Sequence, residues 1–454
     1  MKKIYYLRLF CLLLALLSIL SLFLPSISAS AFDEGLPDVS IAKNVYFANL
    51  DTETVILNKS ETKKIAPAST VKILTGLIAI EHYEKDINAT ITVSESITEH
   101  RGGAILGLMP GDEIKAIDLI YATVCGGYND AAYALAYAIS DSPTKFVKLM
   151  NEKLVDLGAK SSHYTNPSGM DEAGMYTTLS DTVKLVKYAT KNELYMKISS
   201  AVAYKATLLC DGVSKSFTIN NRNALISGYY AEGYTNLYAS GLIAGMTDEG
   251  GYCAATRLDI GKSSYICIVM GADATEDTIG SYATVNALTS YARHTLGYTK
   301  VMSAGTKICD IPIEFALSEQ SAKDKSGMLE VFVTDDVLLF LPQNANIEKE
   351  VSYKYYLYSD KLIAPVCSGD RVGSVDFYYN GELLATVPLV ITKDVVANDF
   401  LISINTMRGA ILSRITIFSL LLFICIFSIY TTQKNKASAR RRKKTFNITS
   451  SRKL

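Results

Sequence analysis

The sequence predicts three parts: an α/β (α+β) unit over residues 36–298, a small all-β domain over 305–392, and one C-terminal transmembrane helix at 415–432. Three observations predict this. Strand-like runs stand at both ends of the first region, with helical periodicities between them. From about Lys307 the pattern turns to short alternating runs, and an apolar stretch near the C-terminus is followed at once by a basic block. The chain has 454 residues, 49% of them hydrophobic and only 10 of them proline. That is too long for one small core and too apolar for a disordered polymer. No internal repeat supports a solenoid.

Lys2, Lys3 and Arg8 precede an apolar run over 9–24, and Ala29 and Ala31 follow it. This is the three-part pattern of a secretory signal peptide over 1–31, with cleavage before Phe32; the alternative is an uncleaved anchor. Residues 44–51 and 53–57 read as an opening hairpin turning at Asp51. Residues 71–84 read as a largely apolar helix, and 117–140 as a longer, Ala-rich helical stretch. In 143–157, Phe146, Val147, Met150, Leu154 and Leu157 recur at helical spacing. An apolar strand over 264–270 and a helix over 280–296 close the unit.

In the second domain, residues 311–317, 328–333, 351–357 and 375–379 are short strand-like runs. Asn380-Gly381 is a hairpin signal between the last of these and 383–390. Residues 393–414 read as a connector. The apolar run 415–430 makes about 24 Å of helix against a ~30 Å hydrocarbon core, so it extends through Thr431 and Thr432. Seven basic residues between Lys434 and Lys444 then favour the cytoplasmic side for the tail, 433–454.

The 45 basic and 45 acidic residues cancel only in total. Residues 1–31 hold three basic residues and no acid, and 415–454 hold nine and none. The body between them carries 33 basic against 45 acidic residues, a net charge of about −12, which argues against nucleic acid as a partner. Its six cysteines (Cys125, Cys210, Cys253, Cys267, Cys309 and Cys367) are scattered, with no Cys-x-x-Cys pair and no zinc spacing. Export permits disulfides, but the spacing selects no pairing. Glycine-rich pieces such as Arg101-Gly102-Gly103 lack Rossmann or P-loop spacing, so no cofactor is expected.

Chemistry concentrates in Ala66-Pro67-Ala68-Ser69-Thr70-Val71-Lys72. Ser69 and Lys72, three apart at a helix start, share a face. A hydroxyl becomes a useful nucleophile when a neighbouring amine of lowered pKa accepts its proton. The helix N-terminus adds N–H groups for a developing oxyanion.

With this heptad the chain resembles the low-molecular-mass penicillin-binding proteins of the D-alanyl-D-alanine carboxypeptidase type, serine peptidases that trim peptidoglycan stems. The resemblance covers about 36–392. It rests also on Arg101-Gly-Gly-Ala, Leu108-Met-Pro-Gly-Asp-Glu113, Asn129-Asp-Ala-Ala-Tyr-Ala-Leu-Ala136, Thr165-Asn-Pro-Ser-Gly-Met-Asp171, Ile219-Asn-Asn-Arg-Asn223 and Gly245-Met-Thr-Asp-Glu-Gly-Gly-Tyr252. It implies a β-lactamase/transpeptidase-like fold, peptidoglycan peptides as substrate and β-lactams as acylating ligands. It also implies a bacterial cell-membrane location, with the body outside and the basic tail inside.

Such enzymes carry Ser-x-x-Lys, Ser-x-Asn and Lys-Thr-Gly motifs. Ser69 matches the nucleophile and Lys72 the base. The second motif falls at Gly127-Tyr128-Asn129: Asn129 is kept to bond substrate or Lys72, while Gly127 stands where a relay hydroxyl is expected, and Cys125, two residues away, reads as packed in a helix-start turn rather than as a substitute. In the third, Ile243 and Ala244 replace Lys and Thr, and Gly245 remains. The arginine that family members often place near the closing helix to hold the substrate carboxylate is missing from 271–280. The N–H groups of Ser69 and Met246 supply an oxyanion hole without side chains. Three readings follow: an active carboxypeptidase with altered recognition, an impaired homologue that binds cell wall or serves as a scaffold, and acyl-enzyme chemistry on another peptide or ester.

Overall fold

The computed structural model describes residues 32, 35–60, 63–317 and 327–450. The signal-peptide reading of 1–31 lies outside them. The chain divides into two units. The first holds residues up to Thr299 with Leu339–Ser352 and Tyr378–Leu384; the second holds Lys300–Leu338, Tyr353–Phe377 and the chain from Ala385 on.

The first unit is a mixed α/β domain built on a five-stranded antiparallel sheet. Its strands are β1 (Ala42–Asn49), β2 (Val55–Ser60), β7 (Ala239–Thr247), β8 (Gly251–Ile260) and β9 (Ser263–Ala272), in the order β2-β1-β9-β8-β7. The opening hairpin turns where Asn49 Oδ1 accepts from the N–H of Asp51 and of Thr52. Strand alternation splits the core in two. In β9, Ile266, Ile268 and Met270 join one apolar cluster, and Tyr265, Cys267 and Val269 join the other.

The first cluster surrounds helix α1 (Val71–His82), whose residues 71–80 are all buried. Around it stand α2 (Ala116–Val124), α3 (Asn129–Ser140), α4 (Pro143–Asp156), α5 (Leu179–Ala189) and α6 (Glu193–Ser199). The second cluster packs α7 (Gly280–Thr295) against β8 and β9. Phe32 is buried there, its ring centroid 6.4 Å from that of Phe340 and 5.9 Å from that of Tyr379, and its carbonyl accepts from the Tyr291 hydroxyl. A second sheet, ordered β3-β4-β5-β6, joins β3 (Thr90–Thr92), β4 (Glu113–Lys115), β5 (Ala203–Cys210) and β6 (Val213–Asn220).

One departure from the sequence reading shapes the site. The helical stretch read over 117–140 is two helices, broken at Cys125-Gly126-Gly127-Tyr128. Gly127 has φ +68°, a conformation that a side chain disfavours, and Tyr128 is extended. The break makes Asn129 the first residue of α3. Beside it, the nearly buried Asp130 carboxylate accepts from the N–H groups of Leu106, Gly107 and Leu108 at 2.8, 2.7 and 3.1 Å. It thereby pins the loop that carries Gly103 and Ala104.

The rest of the chain makes a six-stranded sheet. Its strands are β11 (Lys307–Glu314), β12 (Met328–Val333), β14 (Val351–Leu357), β15 (Leu362–Ile363), β16 (Arg371–Tyr379) and β17 (Glu382–Ile391), in the order β14-β16-β17-β12-β11-β15. Asn380 and Gly381, with φ +48° and +88°, form the β16–β17 turn. β10 (Leu296–Met302) and β13 (Val337–Pro342) pair separately. Helix α8 (Asp399–Ser450) begins inside the segment read as a connector, because no proline interrupts the chain from residue 399 onward. Within it, Ile402–Ser438 is long and apolar enough to cross a membrane, which supports a membrane-anchored protein.

Asp130→Ala is expected to lower stability by about 3 kcal/mol, because several N–H donors lose a charged acceptor. Asp130→Asn, which keeps one acceptor oxygen, should cost less. Urea unfolding of the full chain in detergent measures both.

Candidate active site

Ser69 sits in a short 3₁₀ turn, Ala68–Thr70, that runs directly into α1. Ala68 takes φ +47°, a strained value for a residue with a side chain, immediately before the candidate nucleophile. One turn on, Lys72 is 1% exposed and its Nζ donates to Ser69 Oγ at 3.3 Å and to the Ser168 carbonyl at 2.6 Å. Burial, assisted by the Arg222 charge, brings the Lys72 amine down to about 7. Near neutrality this amine is divided between ammonium and free base.

The loop over 165–172 holds the acceptor for Lys72. Asn166 Oδ1 accepts from Ser168 N, Ser168 Oγ and Gly169 N, and Asn166 Nδ2 donates to the Met170 carbonyl and to Glu172 Oε2. This folds the loop so that the Pro167 and Ser168 carbonyls face α1, where Thr75 Oγ1 and Lys72 donate to them. Asp171 Oδ2 accepts from Glu249 N at 2.9 Å, tying the same loop to the β7–β8 turn.

Ser69, Lys72, Asn129, Gly127, Gly245 and Met246 line one cleft of about 130 Å³. Gly245 brings strand β7 against the serine: a Cβ there would fall on Ser69 Oγ. Asn129 does not bond Lys72; its Nδ2 donates to the Gly102 carbonyl at 2.8 Å. Ile243 and Ala244, the other two residues singled out from sequence, lie outside this cleft. Alternation along β7 sends Ile243 into the helix-side core, 3% exposed, and turns Ala244 toward α7. Cys125 does not replace the relay hydroxyl: it is buried, its Sγ lies 3.5 Å from the Ala201 carbonyl, and burial pushes the thiol up to about 12.

Arg222 is the main residue whose role the sequence reading missed. Its backbone N–H donates to the Cys125 carbonyl, its side chain passes over Gly127, and its guanidinium lies 4.8 Å above the Tyr230 ring. A serine at 127 would meet Arg222 Cδ at 3.1 Å in a backbone conformation that favours glycine. The Asn-Arg-Asn run was visible, but nothing local in it shows that Arg222 reaches the cleft. The loop carbonyls that receive Lys72 leave no side-chain signal at all. Among the described residues, no group of three or more His, Cys, Asp or Glu could hold a metal ion.

Comparison with known families sets the class first. Residues 33–274 match the model described as D-alanyl-D-alanine carboxypeptidase, and residues 297–397 match the penicillin-binding protein 5 C-terminal domain. The chain therefore belongs to the D-alanyl-D-alanine carboxypeptidase family of penicillin-binding proteins. It is 26% identical over 378 residues to the D-alanyl-D-alanine carboxypeptidase DacF of Bacillus subtilis, covering 81% of this chain and 89% of that protein. Against DacA of Escherichia coli K12 the identity is 24%, covering 81% and 86%. The fold is shared with the crystal structure of the D-alanyl-D-alanine carboxypeptidase DacD from Francisella tularensis, at TM-score 0.58 and 20% identity, over 78% of this chain and 94% of that one.

Gly245→Ala is expected to keep the circular-dichroism spectrum while slowing acylation by a β-lactam about a hundredfold, because the new methyl displaces the Ser69 hydroxyl. Stopped-flow acylation kinetics read the loss.

Proposed function

We propose that the protein is a serine-type D-alanyl-D-alanine carboxypeptidase-like enzyme acting on peptidoglycan stem peptides through an acyl-enzyme on Ser69, with slow turnover and altered recognition. The observation that carries this reading is the Lys72 Nζ–Ser69 Oγ bond of 3.3 Å, made by an amine brought down to about 7.

Ser69 Oγ attacks the carbonyl carbon of the penultimate D-alanine while its proton passes to Lys72 Nζ. The N–H groups of Ser69 and Met246 take the oxyanion. Lys72 then protonates the departing amine, the C–N bond breaks, D-alanine leaves, and an ester remains on Ser69. Water attacks this ester and gives its proton to Lys72, which returns it to Ser69 Oγ as the acyl C–O bond breaks and the shortened peptide acid leaves. A β-lactam follows the first half of the path, but its opened ring stays attached. Gly127 supplies no relay hydroxyl, so Lys72 must both accept and return the proton, and this supports slow turnover. The acidic body stands outside the membrane and the basic tail inside.

A second reading, an impaired homologue that binds cell wall or serves as a scaffold, is favoured by Gly127 and by Ile243 lying in the core rather than in the cleft. One experiment separates the two. Intact-mass analysis after β-lactam treatment should show a covalent adduct on the full chain and none on Ser69→Ala. Because the folded Lys72 value lies below that of a free lysine, acylation needs the free base: the rate should fall tenfold per pH unit below about 7 and level off above it. Arg222→Gln removes a neighbouring cation and should move that midpoint to higher pH. No adduct on either side of the midpoint would sink the enzymatic reading.

A further inference from the structure

Strand β14 is an outer strand of the six-stranded sheet, and it reads Val351-Ser-Tyr-Lys-Tyr-Tyr-Leu357 with Tyr358 next. Four tyrosines fall within six residues: Tyr353, Tyr355, Tyr356 and Tyr358 are 50, 47, 51 and 70% exposed. The serine cleft uses none of them. The register of β14 on β16 is fixed at both ends. The N–H of Tyr358 donates to the Val372 carbonyl and that of Asn380 to the Glu350 carbonyl, each at 2.9 Å. The Tyr353 and Phe377 rings, with centroids 6.0 Å apart, meet in the same register. In an antiparallel pair the N–H and C=O of one residue point to the same side, and that side alternates along the strand. The even-numbered residues of β14 therefore bond β16. The N–H and C=O groups of Val351, Tyr353, Tyr355 and Leu357 point away from the sheet, where they bond to no described residue.

Proteins usually blunt such an edge with proline, a charge or a covering segment. β14 has no proline, and its one charged residue, Lys354, stands opposite Asp376 in the same register, which offsets the charge. The strand also suits a second copy of itself. A two-fold axis through Tyr355 sets Tyr355 against its own counterpart and Tyr353 against the partner's Leu357. The same axis sets Lys354 against the partner's Tyr356 and Ser352 against the partner's Tyr358. All four tyrosines then gain a neighbour, an ammonium meets an aromatic ring, and no like charges oppose each other within the strand. An axis through Lys354 would bring two ammonium groups together. An axis through Tyr353 would leave Tyr358 opposite the partner's Glu348, beyond the strand. Sugars also stack on tyrosines, but stacking leaves the N–H and C=O groups of the edge unused, whereas an added strand bonds both. Anchoring through α8 confines copies to one membrane, which raises their effective concentration.

We propose that two copies of this chain pair antiparallel along β14, with Tyr355 on the two-fold axis, so that their second-domain sheets become one. The pairing is independent of the Ser69 chemistry.

Sedimentation equilibrium of the full chain in density-matched detergent should show a reversible dimer. The N–H of Tyr355 points outward, so Tyr355→Pro removes a donor only from the free edge, where proline is tolerated. Its circular-dichroism spectrum should be unchanged while the dimer dissociation constant rises about a hundredfold. Paired Cα atoms at such a position stand about 5.5 Å apart, within disulfide reach. Tyr355→Cys should therefore trap the dimer as an intermolecular disulfide under mild oxidation, which the native sequence and Tyr353→Cys should not. A monomer at every concentration, a dimer unaffected by Tyr355→Pro, or a disulfide formed as readily by Tyr353→Cys would each overturn the proposal. A monomer retained on isolated cell-wall glycan, and released by Tyr355→Pro, would assign the edge to a sugar polymer and overturn it too.

Discussion

The site depends on keeping a lysine amine out of water and next to a serine hydroxyl. A fully buried ammonium is costly without a counter-charge, and Lys72 has none among the described residues. It has one strong carbonyl acceptor, from Ser168, and one hydroxyl partner, Ser69. The surroundings thus penalise the charged form without removing every bond to it. The rest of the first unit serves that balance: α1 is buried nearly all round, the 165–172 loop turns its carbonyls inward, and Arg222 adds a positive field.

Close approach is the second requirement, and it is met by removing side chains. Gly245 lets strand β7 pass against Ser69, and Gly127 lets Arg222 lie across the break between α2 and α3. In the family pattern a serine is expected at 127. Here a change that looks like the loss of a hydroxyl is also a gain of room for a cation. Ile243 shows the same exchange: its side chain completes the helix-side core rather than projecting a charge into the cleft.

The elements with strong periodicity were legible in the sequence. The amphipathic run through Phe146, Met150 and Leu154 is α4, and the Asn380-Gly381 signal is a turn of the expected kind. Ser69 and Lys72 were legible because three-residue spacing on a helix forces proximity. Three features were not. The break at Gly126-Gly127 was hidden by apolar, Ala-rich residues on both sides. The start of α8 was hidden because the connector read over 393–414 carries no cap or breaker that separates it from the first turns of a membrane-reaching helix. Arg222 was hidden because Gly127 and Lys72, beside which it lies, come from distant parts of the chain, and a single sequence carries no record of such meetings.

Phe32 bears on how the molecule is made. Its ring meets Phe340 and Tyr379, residues that belong to the same unit although some three hundred positions downstream. Contacts of that separation form late and slow the completion of a fold. The first unit therefore cannot fold to completion as soon as its own helices and sheet have emerged. This corner of its core stays open until the chain has been synthesised past residue 379, so that the membrane-reaching end and the finished first unit arrive at nearly the same moment.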